Sequence, residues 1–103
     1  MSSTYRITAD AKSDLIDIRR FTVQQWGLEK SRQYLSGVRT TLQLLAETPS
    51  MGQRRPELGA DVSSFPHVSH VIYFLVHNDQ VIVFAVLHKR MVPSEHLACR
   101  NMI

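Results

Sequence analysis

Two continuous apolar runs, Val71 to Val76 and Val81 to Leu87, constrain the fold of this chain more than any other feature. Both are rich in β-branched and aromatic residues and too short for ordinary helices, so they read as buried strands. Asn78-Asp79 lies between them, and both residue types tolerate the positive φ angles of a tight hairpin turn. Alternation assigns Val71, Tyr73 and Leu75 to one face and Ile72, Phe74 and Val76 to the other. The second strand divides into Val81, Val83, Ala85 and Leu87 against Ile82, Phe84 and Val86. Both faces are apolar, whereas an antiparallel sheet with one wet face should alternate apolar and polar residues. Such a hairpin needs cover on both sides.

The first half of the chain supplies one cover. Tyr5-Arg6-Ile7 is β-prone and predicts a first strand, with Thr8 or Asp10 placed to cap the helix that follows. Ala11, Leu15, Ile18, Phe21, Thr22 and Trp26 recur at helical spacing, while Asp14, Asp17, Arg19 and Arg20 fall mostly on the opposite face. Gly27 is expected to end this helix in the left-handed conformation. A second helix, carrying Leu28, Tyr34, Leu35, Val38, Leu42 and Leu45, runs on to Pro49. So short a connection forces the two helices into an antiparallel hairpin, with Trp26 as its distal anchor. Thr48 to Val62, with Pro49, Gly52, Pro56 and Gly59, reads as a loop. Phe65-Pro66 predicts a short edge strand, because proline cannot donate to a ladder.

The expected architecture is α+β: residues 1–103 as a single domain, an N-terminal strand, and a helix hairpin packed on a mainly antiparallel sheet of about four strands. The hairpin covers one sheet face and leaves little chain for the other. Either the sheet wraps strongly round the helices or another polypeptide covers it, and of these a partner is favoured.

A chain of 103 residues holds one core, and a net charge of +3 is a mild basic bias toward acidic proteins or nucleic acid. The lone Cys99 cannot form an internal disulfide, which points to a reducing compartment. There is no charged-then-apolar leader, and no run approaches the ~20 apolar residues of a membrane span. A cytoplasmic protein is expected. Histidine spacing and the single cysteine predict no metal site, and no glycine-rich phosphate loop or nucleophile triad implies a cofactor or a hydrolase.

What chemistry there is gathers after the second long strand, in Val86-Leu87-His88-Lys89-Arg90-Met91-Val92-Pro93-Ser94-Glu95-His96-Leu97. A buried strand ending in cations and a proline turn presents donors to an anionic or acidic partner. His88, Lys89, Arg90, Met91 and His96 are the candidate target-binding residues. Of these, His88, Arg90 and His96 could also act as acid, base and charge-neutralising group in attack of an RNA 2′-hydroxyl on its phosphate. In a purely structural role, His88 would stack on the helix hairpin and Arg90 would pair with an acid. Arg54 and Arg55 form a basic loop with a competing reading as solvated charges. His67, His70 and His77 read as ordinary polar residues beside turns.

These residues also resemble a family. Ala11-x-x-Asp14-Leu15-x-x-Ile18 with Trp26-Gly27, Leu44-Leu45-Ala46-Glu47-x-Pro49 with Gly52 and Arg54, Ser64-Phe65-Pro66, Tyr73-Phe74, and Val86-Leu87-His88-x-Arg90-Met91 with His96-Leu97 occur in one order. Together they resemble the ParE branch of the RelE/ParE toxin superfamily, from about Tyr5 to Leu97. The resemblance implies a toxin of a type II toxin–antitoxin module that inhibits DNA gyrase, blocks replication and arrests growth, as in plasmid maintenance. It implies no enzymatic activity, no sequence-specific nucleic-acid binding by this chain alone, and neutralisation within a hetero-oligomer by a ParD-like antitoxin. A flexible antitoxin segment would fold onto the apolar sheet, in a groove expected to involve Tyr73, Leu75, Val83 and Ala85. The alternative is a RelE-like ribosome-dependent mRNA endoribonuclease. The absence of any tyrosine after Tyr73, and a basic loop of two arginines without lysine, argue for the gyrase-directed branch.

Overall fold

The computed structural model describes residues 4–100. Strand β1 (Tyr5–Ile7) leads into the helices α1 (Ala9–Trp26) and α2 (Leu28–Glu47), and a 3₁₀ turn (Pro49–Met51) precedes the two-residue strand β2 (Gln53–Arg54). The meander β3 (Ser63–His67), β4 (His70–His77) and β5 (Gln80–His88) follows, and a short helix α3 (Pro93–Leu97) comes last. The sheet has five strands in the order β1-β5-β4-β3-β2. Only β1 runs parallel to its neighbour, β5. The α+β class and the helix hairpin are as expected. The strand count exceeds four because Gln53–Arg54, inside the expected loop, pairs with Ser63 and Ser64.

Local chemistry accounts for the element ends. Thr8 caps α1, its hydroxyl accepting from the Ala11 amide at 3.3 Å, while its own amide extends the β1–β5 ladder to the Val83 carbonyl. Gly27 joins the helices at φ 89° and ψ 169°, so the positive φ holds but the left-handed helical ψ does not. The hairpin closes tightly because Thr22 and Ser31, both buried, meet hydroxyl to hydroxyl at 2.7 Å. Asn78 (φ 51°) and Asp79 (φ 61°) form the mirror-image turn that suits a two-residue hairpin. Pro66 is tolerated because β2 covers only the Ser63–Ser64 end of β3, which leaves its other end as sheet edge.

Three helix positions differ from the expected stripe: Phe21 is 53% exposed, Leu28 47% exposed, and Trp26 is exposed as well. Trp26, at 47% exposure, meets Tyr34 edge to face across the hairpin with centroids 5.8 Å apart.

The larger correction concerns the sheet faces. Tyr73 pairs with Ala85 and Phe74 with Val83, so Phe84 is an extra residue in β5, a β-bulge. The bulge resets the alternation. Val81, Val83 and Val86 face the helix hairpin with Ile72 and Phe74, whereas Ile82, Phe84, Ala85 and Leu87 face away with Tyr73 and Leu75. This second face is not open. Val62 and Leu97, with the partly buried Leu58, pack against it from the loop before β3 and from α3. An apolar residue or two from each short segment suffices where a second polypeptide was expected. The chain therefore has two cores, one on each side of the sheet.

Candidate target-binding surface

His88 is the last residue of β5, and the backbone fixes the turn that leaves it. The Lys89 amide donates to the Ser69 carbonyl at 2.9 Å, the Met91 amide to the His88 carbonyl at 2.9 Å, and the Arg90 amide to His88 Nδ1 at 3.1 Å. The last bond makes Nδ1 the acceptor, so a neutral His88 carries its proton on Nε2. Lys89, Arg90, Met91 and Val92 are exposed, and Pro93 then starts α3, whose Leu97 is buried on the far sheet face. Among the described residues the Arg90 guanidinium has no carboxylate partner. The ring contact of His88 is with His70, edge to face with centroids 5.4 Å apart, rather than the stacking on the helices that a purely structural role would give.

That contact belongs to a cluster not anticipated from sequence. His70 is 7% exposed, and its Nδ1 lies 2.6 Å from the Tyr34 hydroxyl. The Tyr34 hydroxyl donates to the His67 carbonyl at 3.3 Å and so accepts from His70. The Thr41 hydroxyl donates to the Gly37 carbonyl and accepts from His67 Nδ1 at 2.9 Å. Burial, reinforced by the neighbouring His88 and His67, pushes the His70 pKa down to about 4. Burial also lowers His67 and raises the Tyr34 hydroxyl. His70 is thus a neutral, hydrogen-bonded strand residue.

A cleft of about 470 Å³ opens beside the turn. Asp14, Asp17 and Phe21 of α1 form one wall, Met91, His96 and Arg100 the other, and His70, Val86 and His88 line it between them. Of the five target-binding candidates, His88, Met91 and His96 line this cleft, while Lys89 and Arg90 stand exposed outside it. The set proposed for RNA cleavage is therefore not brought together. Arg54 and Arg55 lie away from it: Arg54 donates to the Ala60 carbonyl, and Arg55 pairs with Glu57 at 2.8 Å and sits 5.9 Å from the Tyr73 ring centroid. Among the described residues no group of three potential metal ligands converges. The expected antitoxin groove is closed: Val83 faces the helices, Tyr73, Leu75 and Ala85 face the opposite core, and all four are buried.

Asp14, Asp17 and Arg100 are polar cleft residues not among the site residues expected from sequence, and Asp14 and Arg100 are bonded to each other. Strand β1 ends at Ile7 opposite Val83, leaving the rest of β5 without a strand on that side. Asp14 and Arg100 take the place of one. Asp14 Oδ2 accepts from the Val86 amide at 2.9 Å, and Arg100 Nη1 donates to the Phe84 carbonyl at 3.1 Å. The two side chains are joined by a two-pronged ion pair, at 2.6 and 2.8 Å, with 16% of the Arg100 side chain and 11% of the Asp14 side chain exposed. Asp14 was expected mostly on the polar face, yet its side chain is only 11% exposed; the signal was its spacing, three residues after Ala11 and four before Ile18, which borders the buried stripe. Arg100 offered none.

Comparison with known proteins agrees with this architecture. Residues 5–93 match the sequence model of the ParE toxin of the type II toxin–antitoxin system, parDE. The chain belongs to the ParE toxin family. Toxin ParE1 of Caulobacter vibrioides is 36% identical over 93 residues, spanning 90% of this chain and 96% of that protein. Toxin ParE1 of Mycobacterium tuberculosis is 29% identical over 98 residues, covering 94% of this chain and all (100%) of that one. Toxin ParE of Escherichia coli is 28% identical over 99 residues, 95% of this chain and 96% of its own. A solved structure described as a chromosomal ParDE toxin–antitoxin system from P. aeruginosa superposes with a TM-score of 0.73 at 18% identity, covering 84% of this chain and 96% of that one. At that identity the likeness is one of fold. No described helix of this ParE-family toxin is long and apolar enough to cross a membrane.

Proposed function

We propose that this ParE-family toxin arrests growth in the cytoplasm by binding DNA gyrase through its cationic turn, without catalysing a reaction itself, and that a ParD-like antitoxin neutralises it. The observation that carries the reading is the Lys89-Arg90-Met91 turn. Two exposed cations and a thioether stand on a backbone held at its start by three hydrogen bonds, and Arg90 has no intramolecular carboxylate among the described residues. Unpaired arginine beside an exposed apolar side chain is a common anchor for a protein interface. An RNA-cleaving action finds less support, because Arg90 stands outside the cleft that His88 and His96 share.

With the far sheet face closed, the antitoxin needs another seat. A groove of about 280 Å³ between the two long helices and β1 offers Tyr5, Leu15, Leu35 and the 52%-exposed Ile16, flanked by Arg19 and Arg39. It suits a segment with apolar anchors and acidic flanks. Purified protein is expected to inhibit gyrase supercoiling or to trap cleaved DNA, and to leave mRNA intact in a translating extract. Cleaved mRNA with unaffected gyrase reverses the assignment.

A further inference from the structure

Resting on the cationic turn as the target-binding surface, we propose that Asp14 and Arg100 are positioning residues for it. They clasp the segment behind the turn to α1 and so hold the turn in its binding shape. The turn is a loop with two ends. Its first end is secured beside His88 by the three amide hydrogen bonds described above, two to carbonyls and one to the His88 ring. Its second end depends on α3, five residues with no side-chain cap, anchored by Leu97 in the far core. The Arg100 amide donates to the Leu97 carbonyl at 3.1 Å, so the guanidinium and the Leu97 anchor belong to one turn of chain. Arg100 then reaches across the β5 edge to Asp14 in α1, 86 positions away in sequence.

The clasp does more than join two elements. Asp14 is bonded to the Val86 amide and Arg100 to the Phe84 carbonyl, so the pair is registered on the same strand that ends in His88. Both ends of the turn are therefore referred to one rigid strand, and Met91 and His96 stand at a set distance from His88 and Phe21 across the cleft. Without the clasp, Leu97 is the buried anchor left among the described residues at the second end, and the freedom released must be lost again on binding. The segment matching the family ends at residue 93, and Arg100 lies beyond it.

Asp14→Asn separates the clasp from the strand edge, because the amide oxygen still accepts from Val86 while the charge holding Arg100 is gone. Arg100→Gln removes the other half, and Arg100→Lys retains charge without the fork. Two readouts are needed at matched soluble levels: amide exchange across residues 89–97, and growth arrest on induction without antitoxin. Exchange there is expected to quicken at least tenfold in Asp14→Asn and in Arg100→Gln, with toxicity falling at least tenfold. Arg100→Lys should fall between, and the double variant should be no worse than either single one. Unchanged exchange overturns the clasp; faster exchange with undiminished growth arrest overturns the positioning role. Gyrase inhibition by the unaltered protein is assayed separately. Its failure removes the target assigned above, and the two readouts still decide whether the clasp positions the turn.

Discussion

The Tyr34 hydroxyl sits 2.6 Å from Nδ1 of His70 and ties the first half of the second helix to the start of the fourth strand. Burial keeps this imidazole neutral; Tyr34 and His88 are its ring neighbours, Tyr34 in turn meets His67 edge to face, and Asp14, Asp17 and Arg100 share the cleft it lines.

This arrangement predicts an acid-sensitive fold. His70 has its pKa lowered from 6.5 to about 4 on folding, so between those values the unfolded chain takes up a proton that the folded chain refuses. Stability therefore falls as pH drops from about 6.5 toward about 4, by up to roughly 3 kcal/mol, and levels off below. Carboxylates titrate in the lower part of that window, so the contribution is read by difference. Urea unfolding of the unaltered protein and of His70→Gln at pH 7, 5.5 and 4.5 should give curves that converge as pH falls. Parallel curves would mean that His70 titrates normally in the fold.

Leu42 is 2% exposed in the core between the helix hairpin and the sheet. Leu42→Ala should cost about 2–5 kcal/mol in chemical denaturation, the range for deleting a buried leucine. A loss below about 1 kcal/mol would show that the site collapses around the missing atoms or is not buried in solution.

Gly52 has no room for a side chain. A Cβ there would lie 2.5 Å from Cζ of Phe74 and 2.8 Å from its Cε1, and the Phe74 ring is only 1% exposed. Gly52→Ala should therefore destabilise by about 1–3 kcal/mol through overpacking. Adding Phe74→Leu should recover part of that loss, and a melting temperature unaffected by Gly52→Ala would refute the close contact.

Arg90 is exposed and forms no ion pair among the described residues. Arg90→Ala should leave thermal stability unchanged, retain antitoxin binding and abolish growth arrest. Loss of a desolvated guanidinium contact costs about 2–5 kcal/mol of binding, roughly 30-fold or more in affinity. Arg90→Lys should restore toxicity only in part, since it keeps the charge but not the planar fork. A stable, fully toxic Arg90→Ala would place the target-binding surface elsewhere.

The antitoxin seat is tested on the hairpin groove. Ile16 is 52% exposed there, so Ile16→Asp should not disturb the core, yet it should weaken antitoxin binding at least tenfold by calorimetry. Equal affinity would exclude the groove.

What the amino-acid sequence determined by itself is what local physics encodes. Helical spacing from Ala11 to Leu45, the positive-φ residues at Gly27 and at Asn78-Asp79, the breaker Pro49 and the two apolar runs each act over a few residues, and each produced the expected element. The cationic turn was legible for the same reason, as contiguous residues at a strand end. Tertiary structure alone decided the rest. One extra residue at Phe84 resets the alternation, because strand parity has period two and a single insertion exchanges the faces beyond it. Cover for the second face came from Leu58, Val62 and Leu97, short apolar contributions with no period to announce them. The β1–β5 pairing and the Asp14–Arg100 clasp join positions 76 and 86 residues apart, respectively, in Tyr5↔Val81 and in the ion pair. Contacts of that span leave no local pattern, because they exist only once the sheet has brought the two ends of the chain to the same edge.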